Sequence, residues 1–138
     1  MILYINTAGH DEIVIALYKS GFVADSDSLA VKPLARRQIK APRQQAEKLL
    51  PAIARMLASK KIKLSALKKI VVANRGGSFT SLRIGVITAN ALAYALKIPV
   101  EAEARRGKKN KKFAAYSIVE PIYDREPIIG IAKKLLPA

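Results

Sequence analysis

The sequence predicts one α/β domain with a mixed β-sheet, and two observations support this prediction. Short apolar segments typical of strands come first and later alternate with two segments of helical periodicity. At 138 residues, of which 51% are hydrophobic, the chain can bury one core and is too short for two ordinary domains. Three consecutive strands followed by alternating helix and strand are typical of an α/β layer with about five strands.

The strand segments are short and mostly apolar. Ile2 to Asn6 and Glu12 to Tyr18 are separated by a polar turn, and we expect them to form a hairpin. We expect a third strand somewhere between Phe22 and Leu34. Ile70 to Ala73 is a short strand of the buried kind, and Pro99 opens a further strand.

The first predicted helix runs from Pro42 to Lys60, where apolar residues recur at helical spacing. Pro42 suits the first turn of a helix because its missing N–H has no partner there anyway. Pro51 lies inside the segment and removes one backbone donor, so we expect a kink or an early break at that point.

The second predicted helix, from about Ser81 to Lys97, is apolar on nearly every side. It follows a glycine turn in which Ser78 or Thr80 can accept hydrogen bonds from the first helical turn. A helix in a small two-layer domain needs only one apolar stripe, so we expect this helix to contact both the first helix and a partner subunit. A fully internal helix is the alternative. The small residues that would allow close helix packing are Gly85, Ala89 and Ala93.

Composition limits the chemistry of the chain. Without cysteine there is no disulfide, thiolate nucleophile or sulfur-ligated zinc, and a single histidine excludes most imidazole-based sites. The formal charge of +15 favours a polyanionic partner, of which RNA is the most abundant in the cytoplasm. A solubility adaptation or an acidic protein partner would explain the same charge.

The ends and apolar runs of the chain predict a cytoplasmic protein. Arg83 and Asn90 interrupt the longest apolar run, so we expect no membrane span, and the first residues lack the pattern of a signal peptide. The glycine turn has the usual geometry for a phosphate at a helix N-terminus, with Arg75 adding charge. It matches neither the GxxxxGK[ST] nor the GxGxxG pattern, and turn and cap residues of this kind are common without a ligand.

Several segments resemble one protein family in sequence and in order. Residues 77–85, GSFTSLRIG, are similar to the GSFTGLRIG signature of the TsaB family, also called YeaZ. The further similar segments are Ile2 to Thr7 at the opening strand, Leu49 to Pro51 in the first helix, Lys97 to Val100 after the second helix, and Glu120 to Arg125 near the end.

The resemblance implies an actin-like fold of the ASKHA, ribonuclease H-like kind, with two main helices. Typical family members have a second subdomain between the strand at Pro99 and the closing segment at Glu120. Here the basic loop 103–114 takes its place, followed by a strand and tail at 115–138. The resemblance therefore implies a single TsaB-like N-terminal subdomain over 1–138, in a shortened form that lacks most of the second subdomain.

The resemblance implies a non-catalytic subunit that binds and supports the TsaD catalytic subunit in N6-threonylcarbamoyladenosine (t6A) modification of tRNA. The family carries aspartate where this chain has Asn6, a poor magnesium ligand because it lacks the negative charge. We expect no cofactor on this chain alone, with ATP and metal on the TsaD-like partner. A TsaE-like ATPase is a further expected partner, tRNA binds through the complex, and the isolated chain is expected to form a homodimer.

Three sets of residues are assigned on this basis. The expected partner interface comprises Leu50, Ala54, Leu57, Leu82, Gly85, Val86, Ala89, Asn90, Ala93 and Tyr94. The family-motif loop comprises Gly76, Gly77, Ser78, Phe79, Thr80 and Arg83. The candidate RNA contacts are Arg105, Arg106, Lys108, Lys109, Lys111 and Lys112.

Two other functions stay open. The alternative to the subunit role is a stand-alone basic RNA-binding protein, with 105–112 and 60–69 contacting the RNA backbone. A phosphotransferase or peptidase would need a metal or nucleophile system, and the adjacent His10, Asp11 and Glu12 do not have the spacing of one.

Overall fold

The computed structural model describes residues 1–19, 32–103 and 118–122. The strands are β1 (Ile2–Asn6), β2 (Glu12–Tyr18), β3 (Ala35–Lys40), β4 (Lys69–Val72) and β5 (Val100–Ala102). Within these ranges the helices are α1 (Gln45–Ser59) and α2 (Phe79–Leu96), with a 3₁₀ turn at Leu64–Ala66.

The five strands form one mixed sheet in the order β3-β2-β1-β4-β5. β1 and β2 form the predicted hairpin, and β3 continues it in the antiparallel sense. β4 pairs with β1 and β5 pairs with β4 in parallel, since a helix connects each to the strand before it in the chain. The predicted α/β class, with a mixed five-stranded sheet and two main helices, is confirmed.

Both helices pack on the same face of the sheet. That face presents fully buried side chains from all three central strands, such as Leu3, Ile15 and Ile70, and they join Met56 of α1 and Ala89 of α2 in one core. The opposite face carries a small second cluster in which Ile2 and Val71 are buried beside Tyr4 and Tyr18. The helices therefore divide the described domain into a thick apolar layer and a thinner mixed one.

The third strand exists but lies later than predicted. It occupies Ala35–Lys40, and residues 32–34 are not part of a strand. Residues 22–31, the rest of the predicted range, lie outside the described residues. The sequence ARRQIK does not look like a strand because β3 lies at the edge of the described sheet, where most of its side chains are exposed.

The prediction for α1 needs two corrections. The helix begins at Gln45 rather than Pro42, because Arg43 adopts a left-handed conformation with φ of 57° that cannot continue a helix. Pro51 does not break the helix, which continues to Ser59. Pro51 and Glu47, whose carbonyl loses its helical donor, are both exposed, so water can replace the missing bond.

The helix α2 begins as predicted and is buried along one face. The side-chain oxygen of Ser78 accepts a hydrogen bond from the Ser81 N–H, which confirms the cap. The sequence analysis expected no membrane span. By length and composition alone, however, Phe79–Leu96 is long enough and apolar enough to cross a membrane. About a third of this helix is buried within the domain, and core helices of this length pass the same test.

Candidate functional site: the glycine turn and the outer faces of the helices

The glycine turn is fitted tightly against the end of β1. Gly76 has a φ of 81°, which other residues adopt only with strain. A Cβ atom on Gly77 would lie 2.7 Å from both the Cα and the carbonyl oxygen of Ala8, so only glycine fits there. The glycine turn therefore places the first turn of α2, which Ser78 caps, against the loop that follows β1.

Thr7 fixes this junction from the side of the sheet. Its hydroxyl, fully buried, donates to the Ser81 carbonyl at 2.5 Å and accepts from the Gly85 N–H at 3.0 Å. A Cβ atom on Gly85 would lie 2.6 Å from the Thr7 Oγ1. The small-residue stripe of α2 therefore allows close approach to β1 and the core, whereas the sequence predicted close approach of another helix.

Gln45 holds the β1–β2 turn, a role that the sequence analysis missed. Its side-chain Nε2 lies 2.9 Å from the Gly9 carbonyl and 2.8 Å from the Glu12 carbonyl, with a longer contact of 3.3 Å to Thr7. Gln45 is buried. The available signal was a polar residue at the helical position that continues the buried stripe through Leu49 and Ala52.

Two asparagines bind the segment 118–122 to the domain, and the sequence analysis missed this role too. The side chain of Asn90 accepts from the Val119 N–H at 2.8 Å and donates to the Val119 carbonyl at 2.9 Å. Asn74 donates to the Glu120 carbonyl at 2.9 Å, and its own carbonyl accepts from the Ile122 N–H. Asn90, expected in a partner interface, therefore makes a contact within the chain.

Asn6 is used internally at the position where the family carries aspartate. Its Oδ1 accepts from the Ala8 N–H at 2.8 Å, and its Nδ2 donates to the Tyr4 hydroxyl at 3.1 Å. The Tyr4 hydroxyl donates to Glu103 at 2.8 Å. Burial raises the pKa of Tyr4 well above its ordinary value, and the charge of Glu103 raises it further.

Acidic and histidine side chains do not converge on a metal site in the part of the chain that the structure describes. His10 and Asp11 form an exposed pair at 2.9 Å, and the hydrogen bond to Asp11 raises the pKa of His10. The side chains of both residues are mostly exposed, at 87% and 59%.

The predicted partner interface divides into buried and exposed residues. The buried ones belong to the core of this chain and cannot contact a partner: Leu57, Leu82, Gly85, Val86, Ala89 and Ala93. Their helical spacing is that of an apolar stripe, which is the same whether the stripe faces a sheet or a partner. Leu50, Ala54 and Tyr94 are exposed.

The exposed apolar side chains of the two helices define a surface that we call the helix surface. It consists of Leu50 and Ala54 of α1 with Ile87 and Tyr94 of α2; Leu50, Ile87 and Tyr94 are 52%, 56% and 67% exposed. A groove of about 340 Å³ opens between the helices and is lined by Ala46, Thr80, Arg83, Ile84, Ile87 and Thr88.

Arg83 of the family-motif loop and the six candidate RNA contacts are the remaining predicted site residues. The guanidinium of Arg83 lies 5.1 Å from the centre of the Phe79 ring, a cation–π contact at the start of α2. The six candidate RNA contacts in 105–112 lie outside the described residues.

The mixed five-stranded sheet with two helices on one face is consistent with an actin-like α/β domain. A sequence profile of the family described as TsaD, tRNA N6-adenosine threonylcarbamoyltransferase, matches residues 38–102, from β3 through β5. A search of curated proteins found no significant match.

Two solved structures from Pseudomonas aeruginosa are similar to the chain. One is YeaZ, and the other is described as an uncharacterized protein with similarity to the peptidase YEAZ. Each is 29% identical over 73% of this chain, with a TM-score of 0.61. The resemblance of the chain to TsaB (YeaZ) is thereby confirmed. The chain spans 42% and 41% of the length of these two structures.

Proposed function

We propose that the chain is a non-catalytic TsaB-like subunit that binds a TsaD-type catalytic subunit and supports t6A modification of tRNA. The observation that carries the proposal is the helix surface, which leaves large apolar side chains exposed on two adjacent helices of a YeaZ-like fold. Scattered exposed apolar residues are normal, whereas several on neighbouring helices are typical of an interaction site.

The helix surface has the chemistry of a helix-packing interface. Leu50 and Ile87 are each about half exposed, so burying the remaining half of either side chain would stabilise a complex by roughly 0.8–1.5 kcal/mol. The groove between α1 and α2 can accept an apolar side chain from a partner helix. Tyr94 adds a large ring with a polar tip, a residue type enriched at interfaces.

The non-catalytic role is supported by the chemistry of the β1 turn. Asn6 cannot supply a carboxylate, and both of its polar atoms already have partners in the chain. In this proposal ATP and the metal ion bind to the TsaD-like partner, and this chain holds the partner in its active conformation. A TsaE-like ATPase would join the complex, which would act on tRNA in the cytoplasm.

In isolation the helix surface would pair with a second copy of itself. Because the same apolar residues would serve both contacts, the homodimer and the complex with the TsaD-like partner would compete. Addition of the partner should therefore convert the homodimer into the heterodimer in a mixed sizing run.

The test is a binding titration of the purified chain with its cognate TsaD-like subunit. We expect a complex at micromolar concentration, and Ile87→Glu should weaken it about tenfold or more because a charge replaces an apolar side chain that the complex would bury. Leu64→Glu is the matched control, since Leu64 is 42% exposed on the 3₁₀ turn outside the helix surface. An absent wild-type complex, or equal weakening by both variants, would overturn the proposal.

A further inference from the structure

A second groove lies on the other side of α1, between this helix and the edge strand β3. It has a volume of about 290 Å³ and is lined by Arg37, Ile39, Ala52, Arg55, Met56 and Ser59. The sequence analysis placed no site there, because β3 was predicted earlier in the chain. We call it the basic groove.

The walls of the basic groove are cationic and its floor is apolar. Arg37 comes from β3 and Arg55 from α1, so the two guanidinium groups belong to opposite walls. Both residues are exposed, whereas Met56 on the floor is buried. One N–H of Arg37 donates to the Arg36 carbonyl at 3.1 Å, and a guanidinium has five such donors.

Charge in the described segment that forms both walls of the basic groove is almost entirely positive. Residues 32–61, which contain both walls, include nine lysines and arginines and a single acid, Glu47. Lys48 lies two helical turns before Arg55 on the same side of α1, about 10 Å along the helix axis. The ion pairs among the described residues are His10–Asp11 and Lys69–Glu101, neither of which includes a residue of the groove.

We propose that the basic groove binds the phosphate backbone of an RNA strand. Guanidinium groups match phosphate oxygens with paired hydrogen bonds, and two of them on facing walls can hold successive phosphates. The apolar floor of Ile39 and Met56 suits the carbon face of a ribose or a base.

Ser59 adds a hydrogen-bond acceptor to the groove, which is relevant to the choice between RNA and DNA. Its hydroxyl donates to the Met56 carbonyl at 2.7 Å, so the donor is used and its oxygen keeps lone pairs that can accept a hydrogen bond. The ribose 2′-hydroxyl, which DNA lacks, is such a donor. The groove therefore contains both a phosphate-binding pair and a group that can distinguish the sugars.

The basic groove is separate from the helix surface. The groove side of α1 carries Lys48, Arg55 and Ser59, whereas Leu50 and Ala54 lie on its α2 side at helical spacing. RNA binding in the groove does not rest on the proposed subunit role. The inference goes beyond that role by giving this chain its own contact with the nucleic acid.

The test measures binding of an unmodified tRNA transcript to the full chain over a range of salt concentrations. Arg37→Gln combined with Arg55→Gln should weaken binding about tenfold or more and reduce the salt slope by about two phosphate contacts. The matched control is Lys68→Gln combined with Lys97→Gln, which removes the same charge from exposed residues outside the groove. Thermal melts of both variants should agree with wild type, since all four side chains are exposed.

Three outcomes would overturn the inference. Equal loss in the two double variants would show non-specific attraction by net charge. Equal affinity for DNA of the same sequence would point to charge alone. Displacement of the RNA by polyglutamate at matched charge would point to an acidic partner. The Arg37/Arg55 variant should still bind the TsaD-like subunit. Failure of the RNA-binding test would therefore leave the proposed function intact.

Discussion

The two sides of α1 offer contrasting surfaces on one helix. Towards α2 the helix exposes Leu50 of the helix surface, and towards β3 it exposes Arg55, which lines the basic groove. Apolar contact gains free energy from the release of water and depends little on salt, whereas phosphate contact depends on the release of counterions. A single amphipathic helix with its third side buried can thus serve a protein partner and a nucleic acid separately.

The largest expected effect comes from a charged side chain placed on the buried side of α2. Ala89 is fully buried, so Ala89→Arg places an unpaired charge in the core and should cost about 4 kcal/mol or more. Circular dichroism melts should show loss of cooperative unfolding, with both surfaces lost together. Ala91→Arg, on the exposed side of the same helix, should melt like wild type; a stable Ala89→Arg protein would contradict the packing of α2.

Gln45 positions α1 and therefore supports both surfaces. Gln45→Ala removes hydrogen bonds to two or three backbone carbonyls of the β1–β2 turn and should lower the free energy of unfolding by about 2–3 kcal/mol. Urea unfolding would measure this loss. Gln44→Ala is the control because Gln44, although it precedes α1, makes no side-chain cap. Equal stability of the two variants would show that the carbonyl contacts contribute nothing.

Salt distinguishes the two surfaces directly. Between about 50 and 200 mM salt, affinity for the tRNA transcript should fall about tenfold or more, because several phosphate contacts release counterions. Affinity for the TsaD-like subunit should change much less over the same range, because the helix surface is apolar. Parallel fluorescence titrations would show this, and identical salt slopes for the two ligands would break the distinction.

Asn90 lies beside the helix surface and away from the basic groove. Asn90→Ala removes both hydrogen bonds to Val119 and should cost about 1–2 kcal/mol in stability. Hydrogen exchange at the Val119 amide should become faster, and tRNA affinity should not change. Thr88→Ala on the same helix serves as the comparison. Unchanged exchange at Val119 would mean that the asparagine does not hold this segment.

The smallest effect concerns the sheet face that carries neither surface. The pKa of Tyr4 is raised in the folded state by burial and by Glu103, so the folded chain holds this proton more tightly than the unfolded chain. Its contribution to stability is complete below about pH 10, the ordinary tyrosine value, and is lost as pH rises further. Tyr4→Phe should lower stability by about 1 kcal/mol at neutral pH and should flatten the alkaline decline in urea titrations. An unchanged alkaline decline would contradict the role of Tyr4.

The sequence predicted elements whose local pattern and tertiary position agree. β1, β2, β4 and the Ser78 cap follow from apolar runs and from cap chemistry within a few residues. β3 was misplaced because an edge strand carries charged residues, and Pro42 was misassigned because the left-handed Arg43 is not visible in residue type.

The site was harder to predict than the fold. An apolar stripe shows that a helix face is covered but does not show by what, so Ala89 and Ala93 were assigned to a partner instead of the core. Gln45 and Asn90 act on backbone groups about thirty residues away in sequence. Periodicity cannot reveal such contacts, although a polar residue within an apolar stripe marks where to look.

The anchoring of residue 122 next to β5 has a consequence for protein engineering. The Glu103 N–H donates to the Val72 carbonyl at 2.9 Å, and the Ile122 N–H donates to the Asn74 carbonyl at 2.7 Å. The backbone just after β5 and the backbone at residue 122 are thus attached to residues 72 and 74, at the end of β4. A reporter domain whose own termini lie close together can therefore join residues 103 and 118 without moving these two attachment points apart.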